Sequence, residues 1–197
     1  MQKSGYKRYG LVLMFFFMIM LSSCGEKVTT PKPRGFYRIE IPKVDYVEFT
    51  SEELPFTFDI SQFVTVELPP LEVSENWMNL AYESLDAKVY CNFYEIKKDE
   101  LGTLDAESRE LVSRNAKRAD VINERKYENF ELNVYGTLFI VKGETPSPIQ
   151  FMLTDSSKHF FRGALYYQCI LDPDSLTPVT EYLQDDIIRL IQSFRWK

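Results

Sequence analysis

The chain predicts an α+β domain, an antiparallel β-sheet with helices packed on it. Aromatic residues make up 15% of the sequence and gather in runs that alternate apolar with polar side chains. That period of two is the mark of half-buried strands. In two places, mid-chain and at the C-terminus, apolar residues instead recur at spacings of three or four, the period of a helix face. Short connections between the late strands favour antiparallel neighbours.

The first element is a leader. Lys3, Lys7 and Arg8 give a basic start, and no acidic residue precedes Cys24. Residues 11–21 are apolar throughout, about half of what a helix needs to span a bilayer, and they suit the core of a secretion signal. Leu21-Ser22-Ser23-Cys24 resembles a bacterial lipobox. That resemblance implies a diacylglyceryl group on the Cys24 thiol, cleavage just before it and acylation of the new amine. Two or more acyl chains give stable anchoring. The expected division is a cleaved signal over 1–23, the lipidated cysteine with a proline-spaced tether over 24–35, and one globular domain over 36–197.

Removing 23 residues from 197 leaves 174, enough for a substantial core in one domain. The leader takes three basic and no acidic residues with it, so the formal charge moves from −6 to −9. An acidic domain is a poor match for nucleic acid or for an anionic lipid surface. The membrane contact expected is therefore the lipid itself. Cys91 and Cys169 remain in an oxidising compartment, each on the parity of apolar strand neighbours. Two readings stand for them, a pair of buried thiols and a single disulfide.

Strands are expected over residues 36–41, over Phe56, Phe58 and Ile60, and over Val64, Val66 and Leu68, with prolines between them. Residues 77–85 and 88–96 read as two more, joined near Asp86. A helix starting at Leu104 and capped by Thr103 follows, with Leu104, Ser108, Leu111, Asn115 and Ala119 on one face. Its other face, with Glu107, Arg109, Glu110 and Arg114, reads as solvated. Residues 121–127, 132–142, 149–154 and 159–170 read as strands, with Asp155-Ser156-Ser157-Lys158 as the turn between the last two. The run at 132–142 is apolar on both parities and calls for cover on two faces. A final helix has Thr177 as cap, Pro178 in its first turn and the stripe Val179, Leu183, Ile187, Leu190, Ile191 and Phe194. Arg195-Trp196-Lys197 is expected to dock the end of that helix. This order of elements resembles the sandwich of PsbP and Mog1 proteins.

Chemistry is sparse. His159 is the sole histidine, so any histidine-assisted nucleophile depends on it. The sequence has no HExxH and no CxxC, which gives a zinc site no support, and no glycine-rich phosphate loop. No cofactor is expected. Asp172-Pro173-Asp174 lacks the glycine and glutamate of a calcium loop and reads as a turn.

Four segments carry a family resemblance: PKPRGFYRIEIP (31–42), SRELVSRNAKRADVINERKYEN (108–129), QFMLTDSSKHFFRGALYY (150–167) and DSLTPVTEYLQDDIIRLIQSFRWK (174–197). They resemble the gliding motility lipoprotein GldD family of Bacteroidetes. The resemblance implies a non-enzymatic cell-envelope lipoprotein, needed by the gliding machinery and the linked type IX secretion system. Its partners would be the membrane, through the lipid, and other envelope proteins of that apparatus. Gly25-Glu26-Lys27 lacks an acid-rich export tag, which favours the periplasmic side. Lys32 and Arg34 stand where tether meets domain, and Asp155, Ser156, His159 and Arg162 stand around a hairpin tip. These six are the candidate partner-binding residues, because loop tips on a rigid sheet are common binding sites. The competing structural reading pairs Arg162 with a carboxylate and has Gly163 relieve crowding from a neighbouring strand. The alternative functions are a periplasmic ligand-binding module for a small molecule, peptide or glycan and, third, a lipid-tethered hydrolase using His159.

Overall fold

The alternating runs become strands in the computed structural model, which describes residues 45–70, 76–97, 100–168 and 173–197. In chain order these are β1 (Tyr46–Thr50), β2 (Phe56–Ser61), β3 (Thr65–Glu67), β4 (Trp77–Tyr82), β5 (Ala87–Glu95), α1 (Leu101–Asn115), β6 (Arg118–Asn129), β7 (Val134–Glu144), β8 (Ile149–Thr154), β9 (His159–Tyr167), α2 (Pro173–Ser193) and β10 (Arg195–Trp196). Seven strands form one sheet in the order β3-β4-β5-β9-β8-β7-β6, and three form a smaller one in the order β1-β2-β10. Every pairing is antiparallel. The fold is α+β, as its alternating and helical periods predict. The expected strand over 36–41 and the residues Cys24, Lys32, Arg34 and Cys169 lie outside the described residues. Among the described residues, no helix is long and apolar enough to cross a membrane.

At β7 and β8 the large sheet is covered on both faces, which explains the double-parity run of β7. Val134, Leu138 and Ile140 point into the larger core with Phe56, Phe58, Phe161 and the α2 stripe. Phe139 and Val141 point the other way, into a smaller core with Val112, Met152 and Phe160 beneath α1. In the larger core Phe56 meets Phe161 edge-on at 4.9 Å and stacks with Phe194 at 5.5 Å. All six residues of the expected stripe are buried there, five on α2 and Phe194 just past its end.

Several boundaries differ from expectation. The first helix starts at Leu101, not Leu104. Leu101 and Leu104 pack on the smaller core, and the buried stripe runs through Ser108 and Val112 instead of Leu111. The gain in burial by Leu101 draws one more turn into the helix. The last helix begins at Pro173, whose fixed φ suits a first helical position, so Pro178 lies inside it. Strand β4 ends at Tyr82 in a single 3-10 turn, and Asp86 closes the connection at φ 47°.

The C-terminal tripeptide is not a helix end. Arg195 and Trp196 form an edge strand paired with Thr57 and Phe56, and the Lys197 amide donates to the Pro55 carbonyl at 2.9 Å. The unmet strand hydrogen bonds of β2 outweigh any attraction of these cations to the helix terminus. Strand β1 has no counterpart among the expected strands, since YVEFT is exposed along nearly its whole length and has no buried alternation. Cys91 is a buried free thiol, and desolvation pushes its pKa upward.

Candidate functional site

The β8–β9 hairpin tip is built by one carboxylate. Asp155 Oδ1 accepts from the backbone N–H of Ser157 (2.9 Å), Lys158 (2.7 Å) and His159 (2.9 Å). Ser156 takes the left-handed conformation, φ 64°, that this tight turn needs. Thr154 Oγ1 adds a bond to the His159 carbonyl at 2.7 Å. The second oxygen, Asp155 Oδ2, lies 2.8 Å from His159 Nδ1. Burial works to raise the Asp155 carboxyl. The three backbone donors and the imidazole overcome it and hold the group at about 2. A carboxylate only accepts, so Nδ1 carries the proton in this pair.

His159 is held from the other side as well. Its ring stacks on the Trp196 indole, with centroids 5.1 Å apart and planes 19° from parallel. Both rings help line an open groove of about 760 Å³ where the smaller sheet meets the ends of β5 and β9. Trp77, Phe93, Tyr94 and three prolines supply its apolar surface, and Glu52, Glu53, Glu95 and Lys197 its charge. Among its described lining there is no serine, threonine or cysteine. The Asp155–His159 pair thus has no hydroxyl or thiol beside it in the groove, and a triad cannot be assembled from these residues. The physical role of the pair is to fix an imidazole and brace a turn. Among the described residues no group of three His, Cys, Asp or Glu could hold a metal ion.

Asp155, Ser156 and His159 are brought together, but Arg162 is not with them. It lies three residues along β9, on the opposite face of the sheet, aligned with Asn92 and Met152. Its NH2 donates to Gln150 Oε1 at 3.1 Å, so the carboxylate partner of the structural reading is replaced by a neutral amide. Burial lowers the Arg162 pKa, with Arg114 adding to the effect and Tyr166 and Tyr94 opposing it. Gly163 does face a crowded neighbour, since a Cβ there would stand 2.4 Å from the Phe151 ring.

Sequence reasoning missed the groove wall (Trp77, Glu95 and Trp196 above all), because strands far apart in the chain meet there. It also missed Asp186, which is buried on α2 at 4% exposure and accepts a 2.7 Å bond from the Tyr46 hydroxyl. Burial raises the Asp186 pKa, and hydrogen bonds from Tyr46 and Tyr82 oppose that rise. An aspartate one turn before the apolar Leu190 is the only signal the sequence offered.

The model of the gliding motility lipoprotein GldD family matches residues 26–196. No curated protein matches the sequence. Among solved structures the chain is similar to cyanobacterial PsbP (CyanoP) from Synechocystis sp. PCC 6803, solved in solution, at 13% identity and a TM-score of 0.49. That likeness covers 90% of this chain and 99% of the other.

Proposed function

This chain belongs to the gliding motility lipoprotein GldD family, and on that premise we propose that it is a non-enzymatic docking component of the gliding apparatus. Membership ties it to gliding motility and to a lipid-anchored place in the cell envelope. In the proposed reading, Cys24 carries the lipid, residues 24–35 form the tether, and the acidic domain faces the periplasm. It supports assembly or stability of the gliding machinery and the linked type IX secretion system. The family match over nearly the whole chain carries this reading. The groove supports the non-enzymatic part, since its described lining offers His159 no nucleophile. Lys32, Arg34, Asp155, Ser156, His159 and Arg162 remain the candidate contact residues.

A second reading is favoured by the groove itself. Aromatic faces beside carboxylates, in about 760 Å³, suit a small molecule, a peptide or a glycan better than a flat contact does. Crosslinking the tagged protein in its native host, with Cys24→Ala as control, separates the two. Capture of gliding or type IX secretion components, lost or reduced without the anchor, supports docking. Their reproducible absence, together with a bound small molecule, glycan or unrelated peptide, supports the ligand-binding module.

A further inference from the structure

Helix α1 covers only part of the outer face of the large sheet. It packs over Phe139, Val141, Met152 and Phe160, on β7, β8 and the start of β9. Beyond it the outward residues of β4, β5 and β9 form rows set by the register: Trp77, Asn92 and Arg162 in one, Asn79, Tyr90 and Ala164 in the next. Tyr90 and Tyr94 are 43% and 41% exposed, and Tyr90 meets Tyr166 edge-on at 5.7 Å. Exposed tyrosines beside a partly desolvated arginine have the composition of a protein-binding hot spot.

Arg162 is the feature without an internal explanation. Two arginines of the described chain are half-buried. Arg109 has two carboxylates, Asp105 at 2.9 Å and Glu124 at 2.8 Å. Arg162 has none among the described residues, and its one hydrogen bond goes to the neutral Gln150. A guanidinium carries five N–H donors, and withdrawing it from water without a counter-charge is costly. The charged neighbour that acts on it, Arg114, is of like sign. Gln150 is itself buried, with a side-chain Nε2 that has no acceptor. The buried Gln150 amide brings Arg162 no charge, so an incoming acceptor is what the guanidinium lacks.

We propose that the outer face of β4, β5 and β9 beside the C-terminal end of α1, where Asn115 bonds the Tyr166 hydroxyl at 3.1 Å, docks at Arg162 a protein partner that supplies a carboxylate to this guanidinium. The planar fork of arginine matches a carboxylate in two parallel bonds. The surrounding tyrosine and tryptophan rings suit apolar side chains flanking that acid. The acidic balance of the domain, −9 without the leader, disfavours an extended anionic lipid surface more than a single carboxylate flanked by apolar side chains. The inference rests on the docking reading only in placing the partner within the envelope.

The test uses the full chain in its native host, with a photoreactive phenylalanine analogue replacing Tyr90, and the same analogue at Ile122 on β6, at the far edge of the same sheet, as a control for position. The linked peptide is sequenced. The expected result is one protein whose linked segment contains Asp or Glu. Its yield should fall at least about tenfold in Arg162→Gln, and Arg162→Glu should be rescued by changing the partner's acid to arginine. Asn92→Asp guards against simple misfolding, because it sets a carboxylate directly opposite Arg162 in the register. It should abolish the adduct while the melting temperature holds or rises. Full yield in Asn92→Asp, equal yield from Ile122, or adducts only to lipid would overturn the proposal. A carboxylate-dependent adduct to a protein with no part in gliding would end the gliding reading and keep this one. Adducts to gliding components that ignore both substitutions would do the reverse.

Discussion

The imidazole of His159 lies flat against the indole of Trp196, 5.1 Å between centroids, and so joins the β8–β9 hairpin tip to the last strand of the chain. Trp196 also meets Phe194 at 4.7 Å and Phe56 at 6.2 Å, both edge-on. One half-buried ring thus fastens the C-terminus, a core phenylalanine and the groove wall together.

Trp196→Ala should therefore cost about 2–4 kcal/mol, near the low end for removing a large aromatic because the ring is not fully buried. Urea unfolding measures it. His159→Ala, which removes only the outer ring of the stack, should cost about 1 kcal/mol. Amide exchange should speed up at Trp196 and Lys197 in the first variant. Equal losses in both would mean that the stack, not the contact with the phenylalanines, fixes the tail.

Asp155 predicts an acid-side loss of stability. Its folded pKa, about 2, lies below the ordinary carboxyl range. Stability from such a depressed group is present above its unfolded value, near 4, and is lost as pH falls through the folded value. The side chain is only 13% exposed, so its contribution at neutral pH is about 2 kcal/mol. Asp155→Asn should be less stable than the parent at pH 7, and the gap should close between about pH 4 and pH 2. A gap that stays constant over that range would place the effect elsewhere.

Asp186 predicts the opposite slope. Burial raises its folded pKa, so its favourable contribution is present below the unfolded value and is lost as pH rises through the folded one. Asp186→Asn keeps an oxygen for the Tyr46 hydroxyl, which donates to Asp186 at 2.7 Å, and removes the buried charge. It should hold or raise the melting temperature at pH 7 and flatten the fall in stability just above the normal carboxyl range. Thermal melts from pH 4 to pH 8 read both effects. A large drop at pH 7 would show that the charge itself is needed.

Gly163→Ala tests a close approach. The new methyl would stand 2.4 Å from two atoms of the Phe151 ring, which is itself fully buried in the larger core. The ring has little room to retreat, so the cost should be about 1–3 kcal/mol, read by urea unfolding. Combining it with Phe151→Leu should recover part of the loss. Additive losses would mean that another contact is at fault.

The sequence by itself determined much of this protein. Alternation in FTFDIS, the strand over 149–154, the turn at Asp155, the two-sided run of β7 and the apolar stripe of the last helix were all legible, because each is a pattern within a few residues. The family was legible for the same reason, in contiguous segments. Among the proposed roles, the lipid on Cys24 is likewise a local reading, and it falls outside the described residues. Only the tertiary structure decided that Trp196 stacks on His159, that Asp186 is buried beside Tyr46, and that Arg162 faces away from the hairpin tip with an amide for a partner. Those relations join residues 37, 140 and 12 positions apart. Local periodicity fixes which way a side chain points along its own strand. What it meets there depends on strand order and register, which are set by how the whole chain buries its apolar surface.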